Sequence, residues 1–130
     1  MIRVKKVIFV VSDDFYFLSH RLPIALFLKN KGYDISVATC VSDQAKRSDI
    51  ERHGIKVFNL AARSKGFDSK SDLTLALKLR NIFNQLRVDY VHAVSIRMVF
   101  ISLIAFKFSK ARYFIGMMTG LGYLGLSSKK

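Results

Sequence analysis

The sequence predicts an α/β fold: a Rossmann-like parallel sheet of about five strands, in the order 3-2-1-4-5, with helices on both faces. Three observations predict it. Short β-branched and aromatic runs alternate with helical patterns from one end of the chain to the other. The links between them are short, and right-handed crossovers then make successive strands parallel. The first run, Val7 to Val11, is apolar at every position, the pattern of a strand covered on both faces. The 130 residues suit one domain, read as 1–130, and half of them are hydrophobic, enough to bury a core.

Each element follows from its residues. After the strand Val7–Val11, Ser19 is placed to cap a helix running to about Lys31, with Pro23 in its first turn and Gly32 just past its end. Phe15, Tyr16 and Phe17 then fall in a loop before that helix. Asp34 to Thr39 reads as the second strand, Ser42 to His53 as a polar helix closed by Gly54, and Ile55 to Leu60 as the third strand. The stretch from Ala61 to Ser71 has the weakest pattern. Asp72 opens a helix to about Arg87 whose Leu73, Leu75, Ala76, Leu77, Leu79 and Ile82 form a broad apolar stripe. Asp89 to Val94 is the fourth strand, Arg97 to Ser109 a helix, and Arg112 to Met118 the fifth strand.

In such a sheet ligands bind outside the carboxyl ends of the strands, at the switch in strand order. The polar residues falling there are Ser12, Asp13 and Asp14; Thr39 to Ser42; Ala61 to Ser64; His92 and Ser95; and Thr119-Gly120. Two carboxylates and a histidine at one edge suit acid–base work, and the hydroxyls suit gripping a sugar. Phe15, in that aromatic loop, is available to stack on a sugar ring, to dip into a membrane interface or to close against a partner domain. His20 and Arg21 open a helix, where an anion is welcome. Thr119, Gly120, Gly122 and Tyr123 form a glycine turn whose N–H groups suit a phosphate.

Several classes are excluded. No GxGxxG follows the first strand and no GxxxxGK[ST] occurs, so neither a dinucleotide site nor a P-loop is expected. Three His and one Cys show no metal-ligand spacing, and no metal or resident cofactor is expected. Paired acids after the first strand also occur in phospho-receiver domains, but those need an aspartate after strand three and a lysine after strand five. Here the strands end in Asn59-Leu60 and Met118-Thr119.

The net charge of +13 points to an acidic partner, and no acidic residue follows Asp89. The longest run free of charge and breakers, Met98 to Phe106, is far short of the roughly 20 residues that span a bilayer. No nucleic-acid motif is present.

The opening KVIFVVSDDFYFLSHRLPIALFLKNKGYDISVAT resembles that of bacterial GT-B glycosyltransferases of family 4, and HGIKVFNL, RSKGF, RVDYVHAVSIR and MMTGLGY continue the resemblance. It implies the N-terminal, acceptor-binding half of a retaining, metal-independent sugar transferase. Asp13, Asp14 and His92 would then be catalytic. Ser12, Phe15, His20, Arg21, Ser95, Thr119, Gly120, Gly122 and Tyr123 would bind substrate. Many relatives carry a second histidine two positions after the first on strand four, where this sequence has Val94. The acceptor implied is a lipid-linked saccharide of cell-surface polysaccharide synthesis, met in the cytoplasm at an anionic inner-membrane surface. The nucleotide-sugar co-substrate belongs to a donor-binding domain, expected to be absent from residues 1–130 and to be supplied, if at all, by a separate chain. The alternative is a non-catalytic module that recognises a partner protein or an anionic lipid head group.

Overall fold

The computed structural model describes residues 3–61 and 69–118. Its five strands are β1 (Lys6–Asp13), β2 (Asp34–Cys40), β3 (Lys56–Asn59), β4 (Tyr90–Val94) and β5 (Tyr113–Met117), and they form one parallel sheet in the order β3-β2-β1-β4-β5. The expected order holds. β1 is central, with Phe9 opposite Val37 on one side and His92 on the other.

The uninterrupted apolar run of β1 is buried on both faces. Ile8 and Val10 join Ala38, Val91 and Ala93 in one core, under α4 (Ser69–Leu86) and α5 (Ile96–Lys107). Val7, Phe9 and Val11 join Ile35, Val37 and Val94 in the other. That second core lies under the segment formed by α1 (Asp14–Tyr16) and the π-helical turn Phe17–Arg21, under α2 (Leu22–Asn30) and under α3 (Gln44–Glu51), which contribute Phe17, Ala25 and Ile50. Alternation within each strand thus decides which helical layer a side chain meets.

One expectation is corrected here. The first helical segment begins at Asp14, capped by Asp13, and not at Ser19. It runs through a π-helical turn, Phe17–Arg21, directly into α2. Ser19 lies inside it, donating its hydroxyl to the Phe15 carbonyl at 2.9 Å. Phe15, Tyr16 and Phe17 are therefore helical and not in a loop. Phe17 is fully buried while Phe15 is 64% exposed. The π turn has a local cause. Pro23 has no N–H for the Ser19 carbonyl four residues back, and the Leu22 N–H instead reaches the Phe17 carbonyl, one residue further than in an α-helix. Gly32, at φ +101°, lets the chain leave α2 through a left-handed residue.

The amino edge of the sheet is fastened by Asp89. Its buried carboxylate accepts the Lys6 N–H at 2.8 Å and the Arg3 guanidinium at 2.8 and 3.0 Å, and its carbonyl accepts the Tyr113 N–H at 2.8 Å. One residue thereby ties the starts of β1, β4 and β5. The apolar stripe of α4 is wider than the sheet covers: Leu75, Ala76, Leu79, Ile82 and Phe83 are buried, but Leu73 and Leu77 face outward.

Candidate functional site

The switch in strand order falls between β1 and β4, and their carboxyl ends lead into the turns at Asp13-Asp14 and Ser95. Both turns are tightly held. Asp13 is half-buried and accepts the Tyr16 N–H on Oδ1 at 2.8 Å, the ordinary helix cap. Asp14 is fully buried. Its Oδ2 accepts the Ser42 N–H at 2.7 Å and its Oδ1 accepts the Ser42 hydroxyl at 2.9 Å. The β1–α1 turn is thus bolted to the loop after β2. Among the described residues the second oxygen of Asp13 has no partner, and Ser12, also half-buried, adjoins it.

Ser95 has φ +85° and ψ 152°, a region that side chains avoid. Such strain amounts to about 1–3 kcal/mol and gathers at functional turns. Its N–H donates to the Met117 carbonyl at 2.9 Å and its carbonyl accepts the Val99 N–H at 2.8 Å, so both neighbours hold it there.

His92 is the fourth strand's third residue and shares a face with Tyr90 and Val94, towards α1 and α2. It is 9% exposed and its ring lies 4.9 Å from that of Phe9. Burial pushes its pKa below the ordinary 6.5, and the charge of Arg21 pushes it the same way. The imidazole is consequently neutral at pH 7. Its Nε2 is buried with no hydrogen-bond partner among the described residues, and so is the Nε of Arg21. The Arg21 Nε–H lacks an acceptor and the His92 Nε2 lacks a polar neighbour among the described residues, on two groups close enough for the charge of one to act on the other.

Arg21 is positioned by the π turn. Its Nη2 reaches the Tyr16 hydroxyl at 3.4 Å and its guanidinium carbon lies 5.9 Å from the Tyr16 ring. His20 stacks on the same ring at 4.5 Å and 10°, and its Nδ1 is 2.8 Å from the Ser19 hydroxyl. Tyr16 is therefore the platform for both. Sequence reasoning placed it in a loop and missed it; the signal was its i, i+4 and i, i+5 spacing to His20 and Arg21.

Ser12, Asp13, Arg21, His92 and Ser95 all belong to the two turns or the strands and helix beside them. His20 and Phe15 lie on the outer side of the same helical segment, exposed. Thr119, Gly120, Gly122 and Tyr123 lie outside the described residues. One further feature at this edge escaped the sequence reading: Arg97, in the first turn of α5, donates to Asp72 at 2.7 Å. Thr39, near the end of β2 and expected at this edge, buries a hydroxyl with no hydrogen-bond partner among the described residues. Among the described residues no group of three or more His, Cys, Asp or Glu is arranged to hold a metal ion.

Residues 6–130 match the glycosyl transferase 4-like family. No curated protein sequence matches the chain. Among solved structures, a glycosyltransferase from Rickettsia africae superposes with a TM-score of 0.65 at 18% identity, over 86% of this chain and 29% of that one. The C-terminal domain of a hydrogenase from Pyrococcus furiosus superposes with a TM-score of 0.58 at 14% identity, over 89% of this chain and 92% of that one. Identities this low bear on the fold alone.

Proposed function

The chain belongs to the glycosyl transferase 4-like family, and from that premise we propose that it is the acceptor-binding half of a sugar transferase. Its substrate would be a lipid-linked saccharide of cell-surface polysaccharide synthesis, met at the cytoplasmic side of the inner membrane. The chain spans 29% of the length of the Rickettsia glycosyltransferase; a nucleotide-sugar donor would be bound elsewhere, by a second domain or a separate chain. No resident cofactor enters the reading.

The observation that carries the proposal is the pair of buried, unpartnered nitrogens, Arg21 Nε and His92 Nε2, beside the switch point. An arginine with unsatisfied donors recognises phosphate oxygens, and a diphosphate linker supplies them. Neutral His92 offers one hydrogen bond to a sugar hydroxyl. Asp13, whose Oδ2 is unpartnered, is the group to accept the proton of the attacking acceptor hydroxyl. Asp14, with both oxygens on Ser42, positions Asp13 and Ser12. Phe15, His20 and Ser95 line the approach, and Thr119, Gly120, Gly122 and Tyr123, outside the described residues, are assigned to phosphate.

The test is direct binding, followed by the histidine ring resonances in NMR. A soluble short-chain prenyl diphosphate saccharide is expected to shift the His92 signals, and a free nucleotide sugar to leave them unmoved. Arg21→Gln should weaken saccharide binding by roughly tenfold or more, since a hydrogen bond to a charged group is worth about 1.5–3 kcal/mol. A chain that binds the nucleotide sugar and ignores the saccharide would overturn the acceptor assignment.

A further inference from the structure

At the amino edge of the sheet, where β4 and β5 begin, the surface sinks into a depression of about 670 Å³. The candidate site lies at the other end of these strands: from Asp89 to Ser95 the chain advances about 20 Å, at roughly 3.3 Å per residue. Two segments build most of the lining. The end of α4 supplies Asn84 and Arg87, and the link from α5 to β5 supplies Lys110 and Arg112. The Asn84 Oδ1 accepts the Lys110 N–H at 2.8 Å and so joins the two. Arg3 and Asp89 complete the lining.

The side-chain groups left free in this lining are all donors. The Asp89 carboxylate is taken by the Arg3 guanidinium and the Lys6 N–H, and Arg3 also donates to the Arg87 carbonyl at 3.2 Å. The Asn84 oxygen is taken by Lys110. The Arg87, Lys110 and Arg112 side chains make no hydrogen bond or ion pair with a described residue, nor does the Asn84 amide nitrogen. The charge of Arg112 acts on Asp89, but Asp89 is already matched by Arg3, so three cations stand without a counter-ion. Asp34 starts β2, two strands from β4, and does not line the depression. Arg87 carries a second signal. Its φ is +56°, and the Val88 N–H donates to the Phe83 carbonyl at 3.1 Å, a helix end at which glycine is the usual residue. A β-carbon is disfavoured there, and such strain gathers at functional positions.

We infer that this depression binds an oligophosphate, a short chain of linked phosphates that is either inorganic or the tail of a nucleotide. A cleft lined by one sign of charge focuses its field on an ion of the other, and the arginine fork matches phosphate oxygens. Three uncommitted cations on two segments exceed what a single phosphate, at about −2, neutralises; a chain of phosphates meets all three. The site is separate from the candidate site, and the inference does not rest on the proposed function.

Inorganic tripolyphosphate is titrated into the 130-residue chain by calorimetry, and amide NMR locates it. Wild type is expected to bind with shifts at Asn84, Arg87, Lys110 and Arg112, and to bind orthophosphate at least about tenfold more weakly. Arg87→Gly is the sharpest variant, because glycine relieves the left-handed backbone. It should be as stable as wild type or more so in urea denaturation, yet bind about tenfold less for the charge-assisted hydrogen bond lost. Adding Lys110→Gln and Arg112→Gln should bring the loss to at least about a hundredfold. A control combining Lys31→Gln, Arg52→Gln and Lys56→Gln removes three exposed cations that do not line the depression, and it should bind like wild type. Equal losses in the two triple variants overturn the inference, because bulk charge then explains binding. So does an Arg87→Gly chain that binds like wild type, or orthophosphate that binds as tightly as tripolyphosphate. Shifts confined to Arg21 and His92 overturn it in favour of the candidate site. A nucleoside triphosphate titrated in parallel distinguishes the sources: tighter binding than tripolyphosphate supports a nucleotide tail, and equal or weaker binding supports an inorganic chain.

Discussion

His92 occupies the strand face shared with Tyr90 and Val94, and its ring lies against Phe9 with no partner for Nε2. Folding therefore favours the neutral imidazole, through burial first and the Arg21 charge second. The unfolded chain, with its ordinary value of 6.5, takes up a proton before the folded one. The sign follows: stability is complete above 6.5 and is lost as the pH falls from there through the folded value. Thermal melts between about pH 8 and about pH 5 should show that loss in wild type, and His92→Gln should remove part of it; an unchanged slope in the variant would show that His92 does not titrate in this window. YVHAV placed a histidine at the carboxyl end of strand four, but not its face. Val91 and Ala93 are as apolar as Tyr90 and Val94, and in a strand covered on both sides alternation carries no polarity signal. Ser95 was legible as a strand-end hydroxyl, whereas its left-handed backbone was not, since nothing in Val-Ser-Ile marks it.

The segment from β1 into α2 shows the same limit at the scale of an element. Ser-Asp-Asp after an apolar strand does carry a cap signal, and Asp13 uses it. Ser19-His20-Arg21-Leu22-Pro23 carries a second one, because serine and proline open helices, and sequence reasoning placed the start there. The structure accommodates both signals. A π turn absorbs the missing Pro23 N–H, so the helical segment continues from Asp14 through what resembles a start. That continuity puts Tyr16 under His20 and Arg21 and turns the expected aromatic loop into one buried, one half-buried and one exposed ring. Its anchor is Asp14. Removing that carboxylate leaves the Ser42 N–H and hydroxyl without their acceptor, which costs about 2–3 kcal/mol. Asp14→Ala is expected to lower stability by that amount in urea denaturation, and to speed amide hydrogen exchange at residues 14–21 more than in α5. A uniform rise in exchange across both helices would show that Asp14 supports the whole fold and not this turn.

At the scale of the molecule, the parallel sheet and its order were legible because they rest on long-range regularities: apolar runs, helix spacing and short links. The surface of α4 and α5 was half legible. The absence of acids after Asp89 was plain in the chain, but that α4 and α5 present those cations together with exposed leucine and phenylalanine depends on packing. The stripe of α4 predicted one covered face, and the sheet left Leu73 and Leu77 outside it. Asp89 was read as the opening residue of a strand and the last acid in the chain, not as a fastening. In the fold it is the one carboxylate that joins β1, β4 and β5 at the amino edge, far along the strands from the candidate site. Burial by itself would raise its pKa. The Lys6 N–H, the Arg3 hydrogen bonds and the charges of Arg3 and Arg112 outweigh that and hold it below 3.8. A depressed carboxylate stabilises the fold above its unfolded value of 3.8, and that contribution is lost as the pH falls through the folded value. Asp89→Asn keeps the shape, but turns a donor towards either the Lys6 N–H or Arg3. The variant should be less stable by about 2 kcal/mol near neutral pH, from the loss of charge-assisted hydrogen bonds, and its acid-induced loss below 3.8 should be shallower than that of wild type. Urea denaturation across that range measures both. A variant as stable as wild type, with the same acid slope, would mean that the three strand starts are held by their backbone hydrogen bonds alone.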